Sequence, residues 1–201
     1  MNVINSVLKV LFPRRPTAEL IEHLTPAEMC TIYAPRTERG CVVLSPYRDP
    51  TVRATIQEIK FHNNEHAAAL LAELFLSWTN THIHEPTIVL PIPLSPARLR
   101  ERGYNQVMRV VNKAAAKQPH LTIDGHVLKR RKNTRPQTQL AKEERQENLK
   151  DAFTVANIQT ITGSHVLLVD DVLTTGATMS AARAALVPHH PASLTCLALA
   201  H

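Results

Sequence analysis

The chain is short of cysteine, glycine and aromatic residues, and it lacks any long apolar run. Its 201 residues include three cysteines, Cys30, Cys41 and Cys196. Three thiols cannot make a disulfide framework, so a reducing, cytoplasmic setting is expected. Five glycines are too few for a collagen-like or glycine-linker chain, and aromatics at 4% make a poor stacking platform for single-stranded nucleic acid. No apolar stretch reaches the roughly 18 to 20 residues that span a bilayer, so no membrane partner is expected. At the N-terminus, apolar residues precede Arg14-Arg15, the reverse of a secretory signal.

What is present is ordinary for a globular protein: 44% hydrophobic and 20% charged residues, enough for one α/β domain with a small appendage. Lys and Arg number 23 against 17 Asp and Glu, a net charge of +6, which favours an anionic partner. The cations gather in two places, at Arg98, Arg100 and Arg102 and along 129–135 (Lys-Arg-Arg-Lys-Asn-Thr-Arg). Alone, such clusters are solvated surface; beside a binding site they mean more.

Apolar residues at helical spacing predict a short helix over 2–12, stopped by Pro13 and packed on the body of the protein. Residues 17–24 also look helical, and 41–46 reads as a strand. Asp49-Pro50 looks like a cap and a first helical position, opening a helix to about residue 61. A second helix carries Ala67, Leu70, Leu71, Leu74, Phe75 and Trp78 on one face. His82 and His84 follow in a loop-like stretch, with no cysteine or acidic cluster nearby to complete a metal site. A buried strand is expected at 88–92. Ser95-Pro96 opens a helix reaching about residue 118, on which Arg98, Arg102, Asn105 and Arg109 would share a face. The polar, basic segment 129–147 reads as an exposed loop or a fraying helix. Strands are expected at 153–156, 165–169 and 194–200, and a helix at 178–186. This alternation predicts a doubly wound, mostly parallel α/β sheet flanked by helices, with ligands at the carboxyl ends of the strands. The chain divides at about residue 48 into an N-terminal helix with a hood-like segment (1–48) and the main domain (49–201).

The most informative string is 166–178, Val-Leu-Leu-Val-Asp-Asp-Val-Leu-Thr-Thr-Gly-Ala-Thr. Four apolar residues bury a central strand, and Asp170 and Asp171 stand where it emerges. Val172, Leu173, Thr174, Thr175, Gly176, Ala177 and Thr178 then make a small, hydroxyl-rich turn into an alanine-rich helix. Backbone amides at such a helix start form a nest for a phosphate, and Gly176 allows close approach. The acids would repel phosphate, but they suit sugar hydroxyls or a hydrated Mg²⁺. A ribose 5-phosphate satisfies every group at once.

This string resembles the motif by which type I phosphoribosyltransferases bind 5-phosphoribosyl 1-diphosphate (PRPP). The likeness extends to the ComF family of competence and carbon-utilisation proteins. Its carriers are Leu11-Phe12-Pro13, Ile59-Lys60-Phe61, Pro91-Ile92-Pro93-Leu94 with the Arg98–Gln106 signature, the segment Arg130 to Gln139, and Arg145 with Asn148. The resemblance implies a type I phosphoribosyltransferase-like fold. It gives catalytic roles to Asp170, Asp171 and to Arg130 and Arg131 on a mobile loop, and diphosphate binding to Pro93, Leu94, Arg98 and Arg102. Further motif residues are Lys60, Asn105, Gln106, Thr134, Gln137, Gln139, Arg145 and Asn148. Mg²⁺ would accompany PRPP, with Asp170 and Asp171 as its nearest protein groups. ComF proteins usually carry a four-cysteine zinc ribbon; with no Cys-x-x-Cys pair here, no zinc is expected. Three functions follow from the likeness: transfer of phosphoribose to an acceptor the sequence does not name, PRPP or nucleotide binding without turnover, and an accessory role in single-stranded DNA uptake, with weak DNA or competence-protein contacts.

Overall fold

A computed structural model describes residues 15–131 and 152–201; the helix expected at 2–12 lies outside them. The chain order is α1 (Pro16–Ile21), α2 (Pro26–Thr31), β1 (Arg36–Glu38), β2 (Cys41–Ser45), α3 (Pro50–His62), α4 (Glu65–His82), β3 (Thr87–Pro91), α5 (Pro96–Arg102), α6 (Gln106–Ala115), β4 (Leu121–Ile123), β5 (Leu128–Arg130), β6 (Phe153–Val155), α7 (Ile158–Ile161), β7 (His165–Val172), α8 (Ala177–Leu186) and β8 (Ser193–Ala200). Six strands form the main sheet in the order β1-β2-β8-β7-β3-β4. All neighbours in it run parallel except the β1–β2 hairpin at the edge. β5 and β6 pair separately as a short antiparallel ladder.

Strand alternation sends the sheet's apolar residues to two cores. Leu167 and Val169 of β7 join α3, α4 and α6, together with Ile21 of α1 and Met29 of α2. Val166 and Leu168 face the other way, onto Met179, Ala182 and Leu186 of α8 and onto Phe153. Continuous apolar runs are what a parallel sheet covered on both faces requires. The doubly wound α/β architecture is therefore present as expected.

Three local expectations change. Helix α4 runs through His82, whose Nδ1 lies 2.8 Å from the Trp78 carbonyl and whose ring stacks on Trp78 at 4.6 Å between centroids. The single helix expected over 95–118 is two. Gly103, at φ +79, ends α5 in the left-handed region, and Asn105 opens α6 by accepting from the amides of Val107 and Met108. Arg98, Arg102, Asn105 and Arg109 thus do not share one helical face. Lys129 and Arg130 belong to β5 rather than to a loop, held by pairing with Thr154 and Phe153. Among the described residues, no helix is long and apolar enough to cross a membrane.

Candidate active site

The site lies at the carboxyl ends of β3 and β7, where the sheet meets the starts of α5 and α8. β7 is longer than expected and carries both Asp170 and Asp171 within the strand. Period-two alternation therefore splits the pair across the sheet. Asp171 points with Val169 towards α3 and α6; Asp170 points with Leu168 towards α8 and β5.

Asp171 is buried, at 7% exposure. Its Oδ2 receives the ammonium of Lys60 at 3.0 Å and the side-chain amide of Gln106. Gln106 in turn accepts from Arg102 Nη1 at 2.5 Å, and the Arg102 guanidinium lies 5.5 Å from the ring centre of Phe61. Tyr104 ties these elements together. Its hydroxyl donates to the Ile59 carbonyl at 2.6 Å and accepts from the Asn63 amide at 2.9 Å, fixing the end of α3 against the α5–α6 turn. Asn105 does the same for β3, donating from Nδ2 to the Ile92 carbonyl at 2.9 Å.

Asp170 is in a different state. One of its oxygens accepts from the Asp171 amide at 2.8 Å. Burial, followed by the neighbouring Asp171 charge, pushes its carboxyl up to about 7, against the opposing pull of Lys60 and Arg130. Arg130 stacks over Phe153, 5.4 Å from its ring centre, and its pKa is lowered by burial first and then by the charge of Arg98. Arg98 and Arg130, far apart in sequence, thus act on one another beside Asp170. Two cations facing each other gain from an anion placed between them. Pro93 and Leu94, both half-buried, lead from β3 into α5, whose start is capped by Ser95 accepting from the Arg98 amide. Arg131 is exposed, its amide bonded to the Ala152 carbonyl. Thr134, Gln137, Gln139, Arg145 and Asn148 lie outside the described residues.

Beyond β7 the loop turns sharply. The Leu173 amide bonds the Ala200 carbonyl at 2.9 Å and its side chain is buried. Thr174 and Thr175 are exposed, and Gly176 takes φ +78 as the N-cap of α8. Helices α2 to α6 each have a side chain accepting from their first-turn amides, Thr25, Asp49, Asn64, Ser95 and Asn105, while the short helices α1 and α7 have none. Gly176 supplies none, and the loop offers only Thr175 Oγ1, 3.4 Å from the Ala177 amide. An uncapped helix start preceded by hydroxyls is what an anion requires. Sequence reasoning missed Arg39, a non-glycine residue at φ +53 in the β1–β2 turn, whose side chain packs 3.5 Å from the Cβ position of Gly176. The Arg-Gly pair at 39–40 signals a turn, but nothing in its sequence says what that turn approaches.

The profile of the phosphoribosyl transferase domain family matches residues 61–201. Competence protein F of Haemophilus influenzae is 32% identical over 145 residues, covering 69% of this chain and 62% of that protein. The chain therefore spans less than two thirds of that relative. DNA utilization protein YhgH of Escherichia coli K12 is 28% identical over 177 residues, covering 86% of this chain and 75% of that one. A solved hypoxanthine-guanine phosphoribosyltransferase from Bacillus anthracis aligns over 67% of this chain and 69% of its own, at 16% identity and a TM-score of 0.44.

Proposed function

Because the chain belongs to the phosphoribosyl transferase domain family, we propose that it binds PRPP at the carboxyl end of β7 and transfers the phosphoribosyl group to a nucleophilic acceptor. The observation that carries this reading is the side-chain-uncapped start of α8, directly beyond two carboxylates. The 5-phosphate accepts from the amides and hydroxyls of 174–178. The ribose hydroxyls donate to the acid pair, and the diphosphate lies between Arg98 and Arg130. The C1–O bond to diphosphate breaks with its electron pair on the leaving group, the acceptor's lone pair closes on C1, and the acceptor's proton is released. The protein's work is to hold geometry and to offset the charge of the departing diphosphate.

The test is a PRPP titration with diphosphate release followed over a panel of nucleobases. Thr175→Ala is expected to weaken ribose 5-phosphate by about 1 to 3 kcal/mol, the range for a hydrogen bond to a charged group, and to leave free ribose unchanged. Equal losses for both sugars would remove Thr175 from the phosphate.

A second reading, binding of single-stranded DNA, is favoured by α5, which has no buried residue and carries Arg98, Arg100 and Arg102 beside the 64% exposed Phe61. Arg100→Glu separates the two readings. It spares PRPP binding under the first, and under the second it lowers DNA affinity and reduces the salt slope by about one.

A further inference from the structure

One member of the acid pair, Asp171, already holds a cation. Lys60, in the last turn of α3, has a side chain only 20% exposed and places its ammonium 3.0 Å from Asp171 Oδ2. That same oxygen accepts from Gln106, and Asp170 turns one oxygen back onto the Asp171 amide. Among the described residues, one oxygen on each acid has no partner and is left for a ligand. A divalent cation such as Mg²⁺ asks for near-octahedral oxygen ligation and gives up its waters reluctantly. An ammonium fixed against the same carboxylate repels it and already occupies Asp171 Oδ2, one of the oxygens the pair could offer. A ribose diol needs no such space, since each hydroxyl donates a single hydrogen bond.

We propose that Lys60 supplies within the fold the positive charge that a divalent cation would bring to the acid pair, so that a phosphoribosyl sugar binds there without a metal held by the protein. Lys60 is then a positioning residue: it aims Asp171 and balances its charge while the sugar hydroxyls take the free oxygens. Tyr104 serves the same end by clamping the helix turn that carries Lys60. The inference rests on the phosphoribosyl reading of the site and adds to it how the ribose is held. A cation riding on a ligand's diphosphate is a separate matter, and ribose 5-phosphate, which has no diphosphate, isolates the acid pair.

The experiment is calorimetric titration of the full chain with ribose 5-phosphate in excess chelator and in excess Mg²⁺. The wild type is expected to bind within twofold equally in both. Lys60→Gln should lose tenfold or more in chelator and regain part of it in Mg²⁺, and Lys60→Arg should keep the metal-independent behaviour. A purely structural role for Lys60 would not create a metal requirement. Wild-type binding that weakens tenfold or more in chelator overturns the proposal and leaves the phosphoribosyl reading intact. Lys60→Gln binding like wild type in chelator overturns it as well. If Lys60→Gln does not fold, the wild-type and Lys60→Arg arms decide. No binding of ribose 5-phosphate in either condition overturns this proposal and the proposed function together.

Discussion

Helix α3 touches two buried carboxylate clusters, and they are built to opposite ends. On one side Glu58 is fully buried and its oxygens accept from Arg15 at 3.0 and 2.8 Å, from Thr17 at 2.6 Å and from Asn64 at 3.1 Å. The hydrogen bonds of Arg15, against the opposing cost of burial, hold its carboxyl down to about 2. On the other side, two residues along, Lys60 reaches Asp171, while Asp170 keeps an oxygen without a hydrogen bond among the described residues and is pushed up. Glu58 is a closed knot that fastens the 15–17 segment to the body. The Asp170–Asp171 cluster is left open, which costs stability and leaves acceptors for a ligand. Satisfaction of every lone pair marks structure here, and its absence marks the site.

The contrast can be broken most forcefully at Glu58. Glu58→Ala is expected to cost about 3 kcal/mol of stability, the lower end for breaking a buried pair, because half-exposed Arg15 can return to water. A chemical denaturation midpoint close to wild type would show the knot to be ornamental. Asp170→Asn should do the reverse. It keeps the acceptor for the Asp171 amide, removes a penalised charge, and is expected to raise stability at pH 8 by about 1 kcal/mol; a loss of similar size would contradict the open-cluster account. Gly176→Ala is expected to have an effect of similar size, about 1 kcal/mol of destabilisation from the left-handed backbone at φ +78, measured by thermal melting.

The two clusters also carry opposite pH signatures. Glu58 lies below its unfolded value of about 4.5, so its stabilisation is present above that pH and is lost as pH falls towards about 2. Asp170 lies above its unfolded value, so the fold binds its proton more tightly and stability falls as pH rises from about 4 to about 7. Asp170→Asn should flatten the melting-temperature profile between pH 4 and 7 and leave the acid limb unchanged. A wild-type slope that survives in the variant would place its origin elsewhere.

Much of this was legible in the chain. The apolar run 166–169 with two acids, two threonines and a glycine announced the strand, the sharp turn and the helix in order, because each step is local chemistry. The split of Asp170 from Asp171 across the sheet was not legible, since it depends on β7 continuing to Val172. The long helix expected from Ser95 failed at Gly103 for a related reason: Arg98, Arg102, Asn105 and Arg109 fit helical spacing, and only the left-handed turn shows that Asn105 is a cap. Lys60, Gln106 and Arg102 were picked out by resemblance, but their chain of contacts to Asp171 is long-range. Arg130 in a strand follows from pairing with Phe153, which composition alone cannot show.

The central claim, that the open cluster and not the closed one receives a phosphoribosyl sugar, is tested most directly by the melting-temperature rise that saturating ribose 5-phosphate produces in wild type, Glu58→Gln and Asp170→Asn. The account predicts a rise of several degrees in wild type and the same rise in Glu58→Gln from a lower starting point. It predicts little or no rise in Asp170→Asn, whose ligand-free melting temperature at pH 8 is at least that of wild type. A full rise in Asp170→Asn, or none in wild type, would contradict it.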